Sequence, residues 1–131
     1  MPTSDATAPL YAIKAELFKC LAHPTRIQCL EVLSAALDHR ATVATLLAVT
    51  GVDASPLSQH LASLKSAGIV SSSREGNAVT YELTEPLVAE LLVVARAMLR
   101  NRLDRNASQL AAADDLPALP HQPRTTGPDE R

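Results

Sequence analysis

Apolar residues recur at helical spacing along most of the chain and alternate, strand-like, only near its middle. From about Pro9 to Ala22 there are two apolar stripes, one of Leu10, Ile13, Leu17 and Leu21, the other of Tyr11, Ala15, Phe18 and Ala22. One stripe is enough to hold a surface helix down, so two predict a first helix that packs on its own domain and on a partner. His23-Pro24 interrupts the pattern, and Pro24 suits the first position of a second helix reaching about Leu37. Its buried side is expected to be Ile27, Leu30, Leu33 and Leu37, and Asp38-His39-Arg40 reads as a polar turn. Thr42–Thr50 predicts a short third helix with Val43, Leu46 and Leu47 inward. After Gly51-Val52 a fourth helix begins, with Asp53 as its cap, Pro56 in its first turn and Gly68 as its stop. Leu57, Leu61 and Leu64 share one face of it. Ser55, Gln59, Ala62 and Ser66 lie opposite, Ser58 and Lys65 on one flank and Pro56 and Ser63 on the other.

The pattern then changes period. Ile69–Ser73 reads as a strand, and Arg74-Glu75-Gly76-Asn77 as a turn with Gly and Asn where positive φ is needed. Ala78–Leu83 alternates, with Val79, Tyr81 and Leu83 on one side. Thr84 is placed to cap a last helix, with Glu85 and Pro86 in its first turn, running to about Arg105 or beyond. That helix again has two stripes, Leu87, Leu91, Val94 and Met98 beside Val88, Leu92, Ala95 and Leu99.

Two helices joined by a short turn containing Gly form the helix-turn-helix pattern, and a β-hairpin directly after it is a wing. The fold expected is mainly α with a small β-hairpin wing, a winged helix-turn-helix in the order helix–helix–helix–helix–strand–strand–helix. The surplus apolar surface of the first and last helices predicts a homodimer through them. Residues 1–8 read as a disordered N-terminus, 9–110 as the DNA-binding and dimerisation domain, and 111–131 as a disordered tail with prolines at 117, 120, 123 and 128.

Composition narrows this picture. Hydrophobic residues make up 47% of the 131, enough for one domain with a modest core, and aromatics only 2%, so the core must be aliphatic. The net charge of −2 does not advertise a nucleic-acid partner. Residues 1–105 hold ten Lys/Arg and ten Asp/Glu, and the excess acid lies in the tail. The domain is thus neutral, and a salt-sensitive grip of moderate strength on DNA is expected of it. Two cysteines without a CxxC pair fit a reducing cytoplasm. No signal peptide is expected, since Asp5 interrupts the start and no long apolar run follows. Leu91–Ala95 is too short to span a bilayer.

The order of elements and three stretches of sequence resemble the ArsR/SmtB family of bacterial transcriptional repressors. The stretches are Leu17-Phe-Lys-Cys-Leu-Ala-His-Pro-Thr-Arg-Ile27, Leu57-Ser-Gln-His-Leu-Ala-Ser-Leu-Lys-Ser-Ala-Gly-Ile-Val70 and Arg74-Glu-Gly-Asn-Ala-Val-Thr-Tyr-Glu-Leu83. The resemblance covers about residues 10–105. It implies a homodimer with two recognition helices in adjacent major grooves of double-stranded DNA and wings on the flanks. Repression would come from occluding a promoter at a palindromic operator. A dimeric winged-helix protein-interaction module without DNA binding is the alternative.

The DNA-binding candidates are Ser55, Pro56, Ser58, Gln59, His60, Ser63, Lys65, Arg74 and Asn77. Gln59 can bond the N6/N7 edge of adenine bidentately, and Ser55 and Ser58 can reach bases or phosphates. His60 sits nearer the buried side, and packing or backbone bonding is an equal reading for it. Lys65 and Arg74 suit phosphates, and Asn77 serves the wing tip or only its turn.

Relatives that sense metals use a Cys pair in the third helix, or Asp, His and Glu in the last. Here Ala41–Val49 has neither Cys nor His, and Leu87–Leu103 offers Glu90 without His. Cys20, His23, Cys29, His39 and His121 are what remains, so no metal site and no cofactor are expected. His23 is expected to bond the backbone at a helix junction. Cys20 and Cys29 are candidate redox thiols, with Lys19 and Arg26 near enough to lower a thiol pKa, or else small buried hydrophobes. There is no phosphate loop, no carboxylate pair in a plausible pocket and no nucleophile with a base, so no enzyme is expected.

Overall fold

A computed structural model describes residues 6–117. Its elements are α1 (Ala8–Leu21), α2 (Pro24–Ala35), a 3-10 turn (Leu37–His39), β1 (Arg40–Thr42), α3 (Val43–Thr50), α4 (Ala54–Ser66), β2 (Val70–Glu75), β3 (Ala78–Leu83) and α5 (Leu87–Asp114). The chain divides into two compact units, residues 1–93 and 94–131.

The first unit carries the expected helix-turn-helix and wing. Its hairpin gains a strand that the hydrophobic pattern did not show. β1 pairs with β3 in antiparallel register, Arg40 opposite Glu82 and Thr42 opposite Thr80, giving the sheet order β1-β3-β2. Three residues are too few to display an alternation, which is why Arg40 read as turn and Thr42 as helix. Thr42 still serves the helix: its Oγ1 accepts from the N–H of Thr45 at 3.1 Å and caps α3. Arg40 reaches Glu82 at 3.4 Å and Glu75 at 3.8 Å, fastening β1 to the wing.

Two clusters make the core. Leu21, Leu30, Leu33, Leu64, Ile69, Val70, Leu83 and Val88 form one, and Cys29, Leu46, Leu57 and Leu61 the other, with Tyr81 packed against both. The α4 stripe is buried as expected. The α2 stripe is not: Leu30 and Leu33 are fully buried, but Ile27 is exposed and Leu37 is 88% exposed. At ~100° per residue the buried arc of α2 runs from Cys29 through Leu33 to Leu30, and Ile27 falls beyond its edge. Leu37 lies outside α2, which stops at Ala35. Asp38 and His39 then take left-handed φ values of 57° and 55° to turn the chain into β1.

Several caps differ from expectation. Asp53 occupies the cap position of α4, but its side chain makes no capping bond. Thr84 does not cap α5: its Oγ1 donates to the Gly68 carbonyl at 2.9 Å, and the Glu85 carboxylate accepts from the N–H of Leu87 instead. α4 ends in a Schellman motif, with Ile69 N–H on the Leu64 carbonyl and Gly68 N–H on the Lys65 carbonyl, both at 3.0 Å. Gly68 holds φ +76°, which an L side chain resists. At the wing tip Gly76 has positive φ, and Asn77, contrary to expectation, does not.

The apolar surplus of α1 is larger than its sequence suggested. Only Leu21 is buried, while Leu10, Tyr11, Ile13, Leu17 and Phe18 all face solvent. The second unit, in its described part, is the remainder of α5, with Val94, Met98, Leu99, Leu103 and Leu110 exposed. Leu99, Leu103 and Leu110 share one face by helical spacing. α5 continues to Asp114, into the stretch expected to be tail.

Candidate nucleic-acid interface

The site is built on α4. Leu57, Leu61 and Leu64 anchor one face of this helix at 1% exposure or less. That anchoring fixes which residues point away, and Ser55, Pro56, Ser58 and Gln59 are exposed on its first two turns. Gly51, at φ +69°, closes α3 by donating its N–H to the Leu47 carbonyl at 2.9 Å, and Val52 and Asp53 lead into α4. Gln28 of α2 donates to the Val49 carbonyl at 3.2 Å, tying the end of α3 to the body of the domain. The surface presented is short, polar and backed by rigid packing, as a helix entering a groove requires.

The wing supplies a second patch. Arg74 lies near the end of β2, opposite Val79, and Asn77 follows Gly76 in the turn; both are exposed. Lys65, at the far end of α4, donates from Nζ to Ser72 Oγ at 2.8 Å. It is exposed and remains within reach of solvent anions while bracing the helix against the wing.

His60 and Ser63 occupy another face. His60 Nδ1 accepts from Arg26 Nε at 3.1 Å, and its ring lies 4.1 Å from that of His23, tilted by 42°. Ser63 Oγ donates to the Gln59 carbonyl at 3.1 Å, and its own carbonyl accepts from Cys20 Sγ at 3.7 Å. These two residues therefore look toward the α1–α2 junction. Desolvation, then the charges of His23 and Arg26, hold the His60 pKa below its ordinary value. His23 bonds the backbone as expected, its Nδ1 accepting from the N–H of Thr25 at 3.1 Å to cap α2.

The cysteines sit in different places. Cys29 is fully buried between Leu46, Leu57 and Leu61, and burial pushes its thiol pKa up. Cys20 is half-buried and packs against the other cluster. Among the described residues no three His, Cys, Asp or Glu side chains stand together as a metal site. His121 lies outside the described residues. No helix among them is long and apolar enough to cross a membrane.

A family model for bacterial regulatory proteins of the arsR family matches residues 23–72. The uncharacterised HTH-type transcriptional regulator Rv0081 of Mycobacterium tuberculosis is 44% identical over 111 residues, covering 84% of this chain and 92% of that protein. Its crystal structure superposes with a TM-score of 0.65 over 76% of this chain and 98% of the other. A protein described as a probable mercury resistance operon repressor of Streptomyces lividans is 31% identical, with coverage of 79% and 77%. The solution structure of a homodimeric winged helix-turn-helix DNA-binding domain from Mycobacterium bovis is 29% identical, with a TM-score of 0.66 over 79% of this chain and 93% of that one.

Proposed function

This chain belongs to the arsR family of bacterial regulatory proteins and is a DNA-binding transcriptional regulator, and from that premise we propose that it acts as a homodimeric repressor on a palindromic operator. The observation that carries the proposal is the division of α4 into a fully buried leucine face and an exposed face of Ser55, Ser58 and Gln59, with the wing alongside. Ser55, Pro56, Ser58 and Gln59 enter the major groove, where Gln59 reads adenine. Lys65, Arg74 and Asn77 contact phosphates and the flanking groove. His60 and Ser63 hold the helix from behind.

The homodimeric state of the M. bovis domain supports two-fold pairing here. So do the exposed apolar rows of α1 and, separately, of residues 94–110, which a monomer leaves in water. Residues 9–110 thus act as one DNA-binding and dimerisation domain, working in the cytoplasm where the chromosome is.

The test is footprinting on the DNA upstream of the protein's own coding sequence. Protection is expected over two half-sites separated by about one helical turn, roughly 10 bp. Affinity should fall steeply with salt, and sedimentation should give a dimer. Absence of binding at low salt, or parental binding by both Gln59→Ala and Arg74→Ala, refutes the reading.

A further inference from the structure

Arg26 is a charged side chain that DNA recognition by α4 and the wing does not use, yet its guanidinium is bonded to two other helices. Its Nη1 donates to the Cys20 carbonyl at 2.9 Å, in the last turn of α1, where a cation also suits the negative helix end. Its Nε donates to His60 Nδ1 at 3.1 Å, on α4. Arg26 itself stands in the first turn of α2. One planar guanidinium therefore joins three helices, a geometry that its fixed fork of donors permits and a lysine cannot copy.

Two further contacts lie on the same side of α4. Cys20 Sγ donates to the Ser63 carbonyl, and the His23 ring packs at a tilt against His60 while its own Nδ1 is committed to Thr25. α4 is thus held from behind by polar contacts at His60 and Ser63, one turn apart, as well as by its leucines. His60 directly follows Gln59, so a rotation of α4 at His60 displaces the reading side chain by the same angle. A groove of about 1130 Å³ runs beside these contacts between α1 and α4.

We propose that Arg26 is a positioning residue for the DNA-reading helix, setting the angle of α4 by bridging the Cys20 carbonyl of α1 to Nδ1 of His60. The proposal rests on the reading of α4 as the recognition helix. The bridge requires neutral His60 with Nδ1 unprotonated, because a proton there would face the donor of Arg26. The charged and titratable groups bearing on His60 are Arg26 of α2 and His23 at the α1–α2 junction; Glu16, Lys19 and Cys20 of α1 and Glu85 line the adjoining groove. Acidification below the ordinary histidine value, far enough to protonate His60, therefore releases α4 and weakens DNA binding.

The experiment compares wild type with R26Q, H60A and H60N, using the duplex upstream of the coding sequence. Asn Oδ1 falls near the position of His Nδ1 and accepts a hydrogen bond at every pH. R26Q and H60A should bind about tenfold more weakly at about pH 7.5, the loss of one charge-assisted hydrogen bond. H60N should bind within about twofold of wild type and lack the fall that wild type shows as pH drops below about 6.5. In the DNA-free protein, NMR titration should show the His60 midpoint rising in R26Q, with amide shifts changing along residues 54–66. If R26Q binds like wild type, or H60N is no better than H60A, the proposal falls. If wild type itself does not bind the duplex, the recognition reading fails, and unchanged His60 titration and α4 shifts in R26Q would remove the bridge independently.

Discussion

Lys65 Nζ lies 2.8 Å from Ser72 Oγ, so the last turn of α4 is tied by its side chain to the first half of the wing. The bond is exposed, which limits its worth to stability to less than about 1 kcal/mol. Its value is geometric: α4 and β2 keep one spacing. If Lys65 contacts a phosphate as proposed, Lys65→Met should reduce DNA affinity and lower the slope of log K against log salt by about one. Ser72→Ala should leave the salt slope unchanged and shift Tm by little. Equal loss of slope in both variants would show that Lys65 acts only through Ser72.

Gln59 and Arg74 should fail differently. Gln59 is an exposed residue of α4 with no charge; on the proposed reading of adenine, Gln59→Ala should cost about 1–3 kcal/mol at that base pair and relax sequence preference there. Arg74, exposed on β2, should act evenly on all sequences: Arg74→Ala weakens binding to specific and random duplexes alike and flattens the salt dependence. Binding to a panel of single-base operator variants at two salt concentrations separates the two. A Gln59→Ala protein with unchanged base preference would remove this residue from direct readout.

What could be read in the sequence follows from the length of each signal. The α4 face was legible because Leu57, Leu61 and Leu64 repeat over about two turns, and β3 because Val79, Tyr81 and Leu83 alternate over six residues. β1 was hidden by its three-residue length, and the exposure of Leu37 by a turn that depends on backbone angles at Asp38 and His39. Caps were the weakest inference. Asp53 and Thr84 have the right chemistry at the right positions, but the Thr84 hydroxyl finds the Gly68 carbonyl nearer, a contact 16 residues away in sequence. The role of Arg26 was illegible for the same reason, since its acceptors, Cys20 and His60, come together only after three helices have packed.

Cys29 should behave as a core residue. It is fully buried among Leu46, Leu57 and Leu61, and its raised pKa makes thiolate scarce at neutral pH. Cys29→Ser puts a hydroxyl into an apolar cluster and should destabilise the domain by about 1–3 kcal/mol. In the native protein an alkylating reagent should modify the half-buried Cys20 first and reach Cys29 only on unfolding. Mass spectrometry of protein labelled with and without denaturant reads this directly. Rapid native labelling at Cys29 would mean that the α2–α3–α4 core opens far more readily than its packing implies.

His60 gives stability a pH dependence of definite sign. Its folded-state pKa is held below the ordinary 6.5 by desolvation first and by the charges of His23 and Arg26 after that. The unfolded chain therefore takes up a proton at a higher pH than the folded protein does. The His60 contribution is fully present above the unfolded value. It is lost as pH falls from about 6.5 toward the lowered folded value, and the loss stops growing once the folded protein is also protonated. Urea unfolding at a series of pH values should show this decline in wild type. His60→Asn, which has no group to titrate, should flatten it across that window. A profile of equal slope in both proteins would mean that His60 takes up its proton without strain, and that Arg26 yields its bond at no measurable cost.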